Sequence, residues 1–154
     1  MSAADHPGVI VRPPLLYAAA LGSALALRWW HPFPIGTPAV TLWPGIALLV
    51  LGLGLIVWGR RTLLAAGTAI DPKRPTTVLV AGGPFRHSRN PLYVAVTGLF
   101  IGLTLVADTW WGIGALLPLL VVMHYGVVLR EERYLEAKFG DVYQNYRISV
   151  RRYM

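Results

Sequence analysis

The chain has 154 residues, of which 55% are apolar and 14% are charged. A soluble domain carries about 25% charged residues, so this composition indicates an integral membrane protein and excludes a disordered chain or a coiled coil. The lack of cysteine excludes disulfides, thiolate metal sites and a cysteine nucleophile. A net charge of +7 in so apolar a chain favours the cytoplasmic face of a membrane protein over nucleic-acid binding.

Stretches free of Asp, Glu, Lys and Arg predict an all-α membrane domain with about four transmembrane helices. They cover residues 13–27 (extendable to 30), 39–58, 90–107 and 109–129. A helix that crosses the hydrocarbon core needs about 20 residues, which the second and fourth stretches provide and the other two approach. The third and fourth stretches meet at Asp108, which predicts a helical hairpin with Asp108 as the N-cap of its second helix.

The basic residues predict the orientation of these helices. The connection from Arg60 to Arg89 carries six basic residues against one acid, and the segment from Arg130 onwards carries six against four. The other two connections carry almost no charge, so the positive-inside rule places both termini in the cytoplasm. The compact chain without targeting signals favours a prokaryotic inner membrane. A cleaved signal peptide is the alternative for the first stretch, since Ala24-Leu25-Ala26 resembles a cleavage site.

The segment after the fourth stretch is expected to be helical as well. Its apolar residues recur at helical spacing and predict one amphipathic helix at the membrane interface. These residues are Leu135, Phe139, Val142, Tyr146 and Val150.

Two polar clusters meet at the cytoplasmic end of the predicted hairpin. The first is a strand-like run at residues 77–80 that leads into Gly82-Gly83-Pro84, a sequence that turns sharply and exposes backbone groups. Pro91 then opens the third helix, whose first-turn N–H groups, with Arg86 and Arg89, form a modest anion site. The alternative is a basic loop that only flanks the membrane.

The second cluster is the carboxylate pair Glu131-Glu132 at the end of the fourth helix. Carboxylates there oppose the helix dipole, so Arg130 and Arg133, or a cationic ligand, are expected to compensate. A charged collar at the interface is the alternative.

Inside the predicted helices few residues carry chemistry. They contain no acidic residue, which argues against a proton-coupled exporter or a proton relay. Gly98 and Gly102 form a G-x-x-x-G pair that predicts close helix packing. His124 is equally compatible with a packing role and with a substrate contact.

Together the two clusters resemble the superfamily of isoprenylcysteine carboxyl methyltransferases and phospholipid methyltransferases, in a small prokaryotic-type member. The resemblance covers roughly residues 76–152. It is carried by residues 77–80, Gly83-Pro84-Phe85, Arg89-Asn90-Pro91-Leu92-Tyr93, Glu131-Glu132, Leu135, Phe139-Gly140, Tyr143, Tyr146 and Arg151. It implies a methyltransferase-like core at residues 59–154, preceded by two transmembrane helices at residues 13–58.

The resemblance also implies transfer of a methyl group from S-adenosylmethionine to a lipophilic acceptor at the cytoplasmic face. Glu131 is then expected to accept hydrogen bonds from the ammonium group of the cofactor. The lipid bilayer and the lipophilic acceptor are the expected partners. The cofactor contacts that the resemblance implies are Thr77, Val78, Leu79, Val80, Phe85, Asn90, Pro91, Leu92, Tyr93 and Glu131.

The acceptor stays open between a carboxylate, a thiol and a lipid head group. An amine or alcohol acceptor needs a general base, for which Glu132, His124 and His87 are candidates. The prenylcysteine enzymes carry an arginine one turn before the cofactor-binding Glu, where this chain has Val127, so Arg130 is the candidate to orient an acceptor carboxylate.

Two other functions fit the same sequence features. One is a related membrane reductase that uses a nicotinamide cofactor, and the other is a non-enzymatic scaffold that binds a lipid or a partner protein. Binding of S-adenosylhomocysteine, of NADPH or of neither distinguishes the three.

Overall fold

The computed structural model describes residues 8, 11–68 and 76–153, and this part of the chain is helical without strands. A short 3₁₀ turn at Gly83–Arg86 precedes α3, and a π-helical turn at His124–Val128 joins α4 to α5. The predicted all-α class is therefore confirmed for the described residues. The helices are α1 (Pro13–Trp30), α2 (Pro38–Ala65), α3 (Pro91–Val106), α4 (Trp110–Met123), α5 (Leu129–Phe139) and α6 (Asp141–Ser149).

Two helices of the described part are long and apolar enough to cross a membrane. They are α2 and the continuous helix Trp110–Phe139, which contains α4, the π-helical turn and α5. The apolar helix α3 has 16 residues and α1 has 18. Membrane passage of α1 and α3, and with it the count of four transmembrane helices, stays a prediction.

Helix α3 is central, and one of its faces packs closely against α2. On α2, Gly45, Gly52 and Gly59 are buried and recur every seventh residue. A Cβ atom at Gly45 would lie 2.9 Å from the carbonyl oxygen of Gly102, and one at Gly52 would lie 3.0 Å from that of Ala95. The glycines therefore let the two backbones approach, as small residues do between helices in membranes.

A second face of α3 packs against α1 and α4. The ring of Tyr17 contacts that of Phe100 edge to face, and its hydroxyl lies 2.6 Å from Oγ1 of Thr97. Gly112 of α4 lies directly against the side chain of Thr104. Helix α3 thus joins α1, α2 and α4 in one bundle. The buried apolar cluster consists of Tyr17, Phe100, Leu119, Met123 and Val127.

Two predictions about individual residues are corrected here. Gly102 packs against α2, but a Cβ atom at Gly98 would meet no atom within 4 Å, so only half of the G-x-x-x-G pair serves packing. Asp108 does not cap α4, whose N-cap is the next residue. Its Oδ1 accepts hydrogen bonds from the backbone N–H groups of Ile35 and Gly36, each 3.0 Å long. Asp108 therefore ties the α1–α2 connection to the α3–α4 hairpin.

The predicted strand-like run does not form a strand. The backbone N–H of Thr76 donates to the hydroxyl of Tyr134 over 3.2 Å, and that of Thr77 donates to Oγ1 of Thr68 over 3.1 Å. A strand requires a neighbouring strand for its ladder, and the described part of the chain offers none. Side chains satisfy these N–H groups instead.

The predicted amphipathic helix after the fourth span is wrong, because two helices replace it. Gly140, with φ of +51°, separates α5 from α6. This backbone conformation is readily adopted by glycine and changes the direction of the chain. As a result Val142 is 64% exposed, whereas Tyr143 and Tyr146 are buried. The apolar stripe read from the spacing therefore does not lie on one face.

The turn between α4 and α5 is wider than an α-helical turn. The N–H of Leu129 donates to the carbonyl oxygen of His124, five residues earlier. Gly126, Val127 and Val128 in this turn are buried. Such a turn places one additional residue in an α-helix and is frequent at functional sites. It sets the direction in which the side chains of α5 point.

We expect Gly52→Ala to lower the free energy of unfolding by about 1–3 kcal/mol, because the side chains and backbone around it leave no room for a methyl group. The new Cβ would lie 2.8 Å from a methyl carbon of Leu99 and 3.0 Å from the carbonyl oxygen of Ala95. The matched control is Gly54→Ala on the same helix, whose Cβ would meet no atom within 4 Å. Unfolding of both variants in detergent tests this; equal stability would contradict the close approach of α2 and α3.

Candidate active site

A cavity of about 330 Å³ lies where α3 and α5 begin. Its wall also includes the start of α1, the second half of α2, the segment 76–80 and α6. Small-molecule sites typically have this size or more, with a mostly apolar lining and a few polar groups. The polar side chains at this wall belong to Arg60, Thr68, Thr76, Arg89, Asn90, Tyr93, Glu131, Glu132, Tyr143 and Tyr146.

The structure brings most of the predicted cofactor contacts to this cavity. Thr77 is not at the wall: its Oγ1 donates to the carbonyl oxygen of Gly67 over 3.1 Å, which fastens the segment to the end of α2. The predicted residues that line the cavity are Val78, Leu79, Val80, Phe85, Asn90, Pro91, Leu92, Tyr93 and Glu131.

Of the three predicted catalytic residues, only Glu132 lies at the cavity. His124 belongs to the π-helical turn, and its Nδ1 lies 2.7 Å from the hydroxyl of Tyr153. Arg130 is exposed, and its Nη1 donates to the carbonyl oxygen of Gly8 over 3.1 Å. The structure therefore does not place His124 and Arg130 where a bound ligand would react.

Glu131 and Tyr93 connect the two helices that begin at the cavity. The hydroxyl of Tyr93, on the first turn of α3, donates to Oε2 of Glu131 over 2.8 Å. Both side chains belong to the cavity wall. The bond holds a carboxylate in a defined orientation at a mostly apolar surface, which suits the recognition of a cationic group.

Glu132 is held by two guanidinium groups. Its side chain is 10% exposed, and its Oε1 lies 3.0 Å from Nη1 of Arg89. Arg152 binds both carboxylate oxygens, through Nε and Nη2, each over 2.9 Å. This hydrogen bonding with Glu132 raises the pKa of Arg152. Arg89 and Arg152 therefore compensate this carboxylate, in the role that the sequence assigned to Arg130 and Arg133; the pairing depends on tertiary contacts that neighbouring residues in the sequence do not reveal.

Two tyrosines of α6, Tyr143 and Tyr146, belong to the cavity wall. The hydroxyl of Tyr146 donates to the carbonyl oxygen of Phe85 over 2.6 Å, which fixes the 3₁₀ turn. The hydroxyl of Tyr143 accepts a hydrogen bond from Nη1 of Arg89 over 3.4 Å. Burial raises the pKa of both tyrosines, so both stay protonated near neutral pH.

Residues that the sequence analysis did not single out for the site also line the cavity. The first two helices contribute apolar side chains, among them Pro13, Ile56 and Leu63, and the cation Arg60. Arg60 was read only as part of the positive-inside signal, and a charge directly after an apolar span could have identified it as a site candidate. The apolar residues carried no such signal, since they resemble every other residue of their spans.

Val127, which stands where the prenylcysteine enzymes carry an arginine, does not lie at the cavity. Its side chain is fully buried in the cluster with Tyr17 and Phe100 rather than at the cavity. An arginine there would bury an unpaired charge, which is costly. Replacing Val127 by arginine is therefore no route to an acceptor site.

The chain is similar to a protein family and to a protein of known sequence. The family model of phospholipid methyltransferases matches residues 40–142, which include nearly all of α2 and the whole of α3, α4 and α5. The chain is 40% identical to an uncharacterized protein of Haemophilus influenzae over 58 residues, or 34% of this chain and 90% of that protein. No solved structure matches the chain. The residues that the family model matches include both Tyr93 and Glu131.

We expect Glu132→Ala to lower the free energy of unfolding by about 3–5 kcal/mol, because it leaves the buried guanidinium of Arg89 without its carboxylate. The matched control is Glu136→Ala on the same helix, where the exposed partner Arg147 lies 3.3 Å away and the pair contributes about 0–1 kcal/mol. Thermal unfolding in detergent compares the two variants. A Glu132 variant as stable as the Glu136 variant would show that the buried network does not hold the helices together.

Proposed function

The chain belongs to the phospholipid methyltransferase family, and we propose that it transfers a methyl group from S-adenosylmethionine to a lipophilic acceptor at the cytoplasmic face of a prokaryotic inner membrane. Membership confirms the resemblance that the motifs indicated. With the two apolar helices, it supports a membrane methyltransferase. It does not favour the reductase or the scaffold.

The observation that carries the proposal is the Tyr93–Glu131 hydrogen bond at the wall of a mostly apolar cavity. S-adenosylmethionine has an ammonium group, a positively charged sulfonium and an adenine ring. The Glu131 carboxylate fits the ammonium group, and the aromatic faces of Phe85 and Tyr93 fit a cation or an adenine ring. The carboxylate and the aromatic rings at the cavity wall therefore fit the groups of this cofactor.

The chemistry of the site then requires orientation more than proton transfer. The cofactor supplies an electrophilic methyl group on a sulfonium. Val78, Leu79 and Val80 contribute apolar side chains to the wall, and Tyr93 and Glu131 would hold the donor side in one orientation. Correct orientation of two reactants contributes about 7–11 kcal/mol to lowering the barrier.

We assign the binding of the acceptor to side chains of the first two helices. Pro13, Ile56 and Leu63 provide apolar surface for its hydrophobic part. Arg60 provides a cation at the same wall, in the role for which Arg130 was predicted. The proposed acceptors are accordingly a carboxylate, a thiol or a lipid head group attached to an apolar chain.

The arrangement favours an acceptor that reaches the site already ionised. A carboxylate or thiolate needs no general base, whereas an amine or alcohol does. The predicted base Glu132 is occupied by Arg89 and Arg152, and neither His124 nor His87 lines the cavity. None of the three is available at the wall to accept a proton from the acceptor.

We expect Glu131→Ala to weaken binding of S-adenosylhomocysteine by about 10–100-fold, which is the loss of one charge-assisted hydrogen bond. S-adenosylhomocysteine, the form of the cofactor after methyl transfer, retains the ammonium group that Glu131 is proposed to bind. Calorimetric titration of the detergent-purified protein measures the affinity, with NADPH as the parallel ligand. Glu136→Ala, which removes an exposed carboxylate from the same helix, is the control and should leave the affinity unchanged.

Each other outcome has a defined meaning. Unchanged affinity in the Glu131 variant would remove the cofactor assignment of this residue. Binding of NADPH alone would contradict the proposal and indicate a membrane reductase that uses a nicotinamide cofactor. Binding of neither ligand by a folded protein would replace it by the scaffold.

A further inference from the structure

The segment 150–153 contacts three elements of the bundle, two of which line the cavity. Its backbone accepts hydrogen bonds from the connection before α3: the N–H of Arg89 donates to the carbonyl oxygen of Arg151 over 2.9 Å. The side chains of Ser88 and Asn90 donate to the carbonyl oxygen of Arg152 over 3.3 and 3.0 Å. We name this segment the strap.

The side chains of the strap reach the other two elements. The guanidinium of Arg152 binds Glu132 on α5 through two hydrogen bonds. The hydroxyl of Tyr153 lies 2.7 Å from Nδ1 of His124 in the π-helical turn. Three consecutive residues of the strap, Arg151, Arg152 and Tyr153, thus contact the start of α3, the start of α5 and the turn before α5, none of which is adjacent to the strap in sequence.

We propose that the strap positions the ligand site and that Arg152 is its positioning residue, acting through Glu132 on the Tyr93–Glu131 pair. The proposal rests on the proposed function for the identity of the ligand. Its structural part, the tie between α3 and α5, stands independently of that identity.

Two parallel connections join the same two helices. Tyr93 on α3 binds Glu131 on α5, and directly beside this bond Arg89 at the start of α3 binds Glu132 on α5. Arg152 is the second cation on Glu132, so it fixes the carboxylate to which Arg89 is anchored. Loss of Arg152 frees the carboxylate to follow Arg89, and the separation of α3 and α5 at the cavity is no longer set. Ligand-contacting groups need such support from residues behind them.

Asn90 receives a different role from the one that the resemblance implied. Its amide Nδ2 donates to the carbonyl oxygen of Arg152, and its backbone N–H donates to Oγ of Ser88. The side-chain donor therefore faces the strap, and Asn90 holds the strap in place. Asn90→Asp removes this donor with little change of shape.

The first test compares S-adenosylhomocysteine affinity in Arg152→Gln, Arg152→Lys and Arg151→Gln. Arg152→Gln is expected to weaken binding at least about tenfold, because it removes the charge-assisted bonds to Glu132. Arg152→Lys restores part of the affinity, since one ammonium bond replaces two guanidinium bonds. Arg151→Gln removes the same charge from the exposed neighbouring side chain and should bind like the wild type. Equal affinities in all three variants would overturn the ligand part of the proposal.

Chemical rescue distinguishes positioning from general loss of structure. In Arg152→Ala, guanidinium ions far below denaturing concentrations should restore binding, because they fill the vacated place beside Glu132. The same concentration of sodium ions should not. Restoration by both salts would assign the effect to ionic strength and contradict the proposal.

Hydrogen exchange tests the strap without any ligand. In Arg152→Gln and in Asn90→Asp, the amides of residues 88–90 should exchange faster than in the wild type, while those of α2 stay unchanged. Unchanged exchange at residues 88–90 would overturn the strap even if the cofactor binds. Faster exchange in a protein that binds no S-adenosylhomocysteine would reject the proposed function and retain the strap.

Discussion

The close approach of α2 to α3 is the constraint on which the other contacts depend. On the side of α2 it is made by glycines, which lie against backbone carbonyl groups and side chains of α3, so the absence of a side chain on α2 sets the distance between the two helix axes. The last of the three glycines, Gly59, lies against Leu92, and Gly83 of the 3₁₀ turn lies against Thr62 of α2. Leu92 is also part of the cavity wall. The spacing that packs the apolar part of the bundle therefore also places the wall of the candidate site.

Polar contacts close the bundle at its two ends in different ways. At the end where α3 finishes, one carboxylate, that of Asp108, binds two backbone N–H groups of another connection. At the end where α3 begins, two guanidinium groups share the carboxylate of Glu132. The Asp108 contact lies away from the cavity wall and holds the two connections together. The second lies at the cavity wall, so the charges that hold the helices together also define the electrostatics of the site.

The sequence predicted those features that depend on local composition. Apolar runs located α1 to α4, because burial in an apolar layer requires an uninterrupted run, and the two polar motifs located most residues of the cavity wall. The partners of Glu132 were not predictable, since Arg89 and Arg152 are far from it in sequence and resemble any other basic flank of a membrane helix. The strand predicted at residues 77–80 does not form, because β-propensity alone cannot supply a neighbouring strand. The break in the last helix has a local signal in Gly140, which the regular apolar spacing on both sides of it conceals.

The π-helical turn at His124–Val128 bears on how this site tolerates changes in chain length. An α-helix turns by about 100° and rises 1.5 Å per residue. A regular α-helix through the same sequence would rotate every later side chain by that angle, which would carry Glu131 away from Tyr93 and Glu132 away from its two arginines. A chain one residue shorter at this turn, by contrast, would run as a plain α-helix and present both carboxylates in the same directions. The wide turn thus accommodates one residue more than a regular α-helix would between α4 and α5, while Glu131 and Glu132 keep the directions that their partners require.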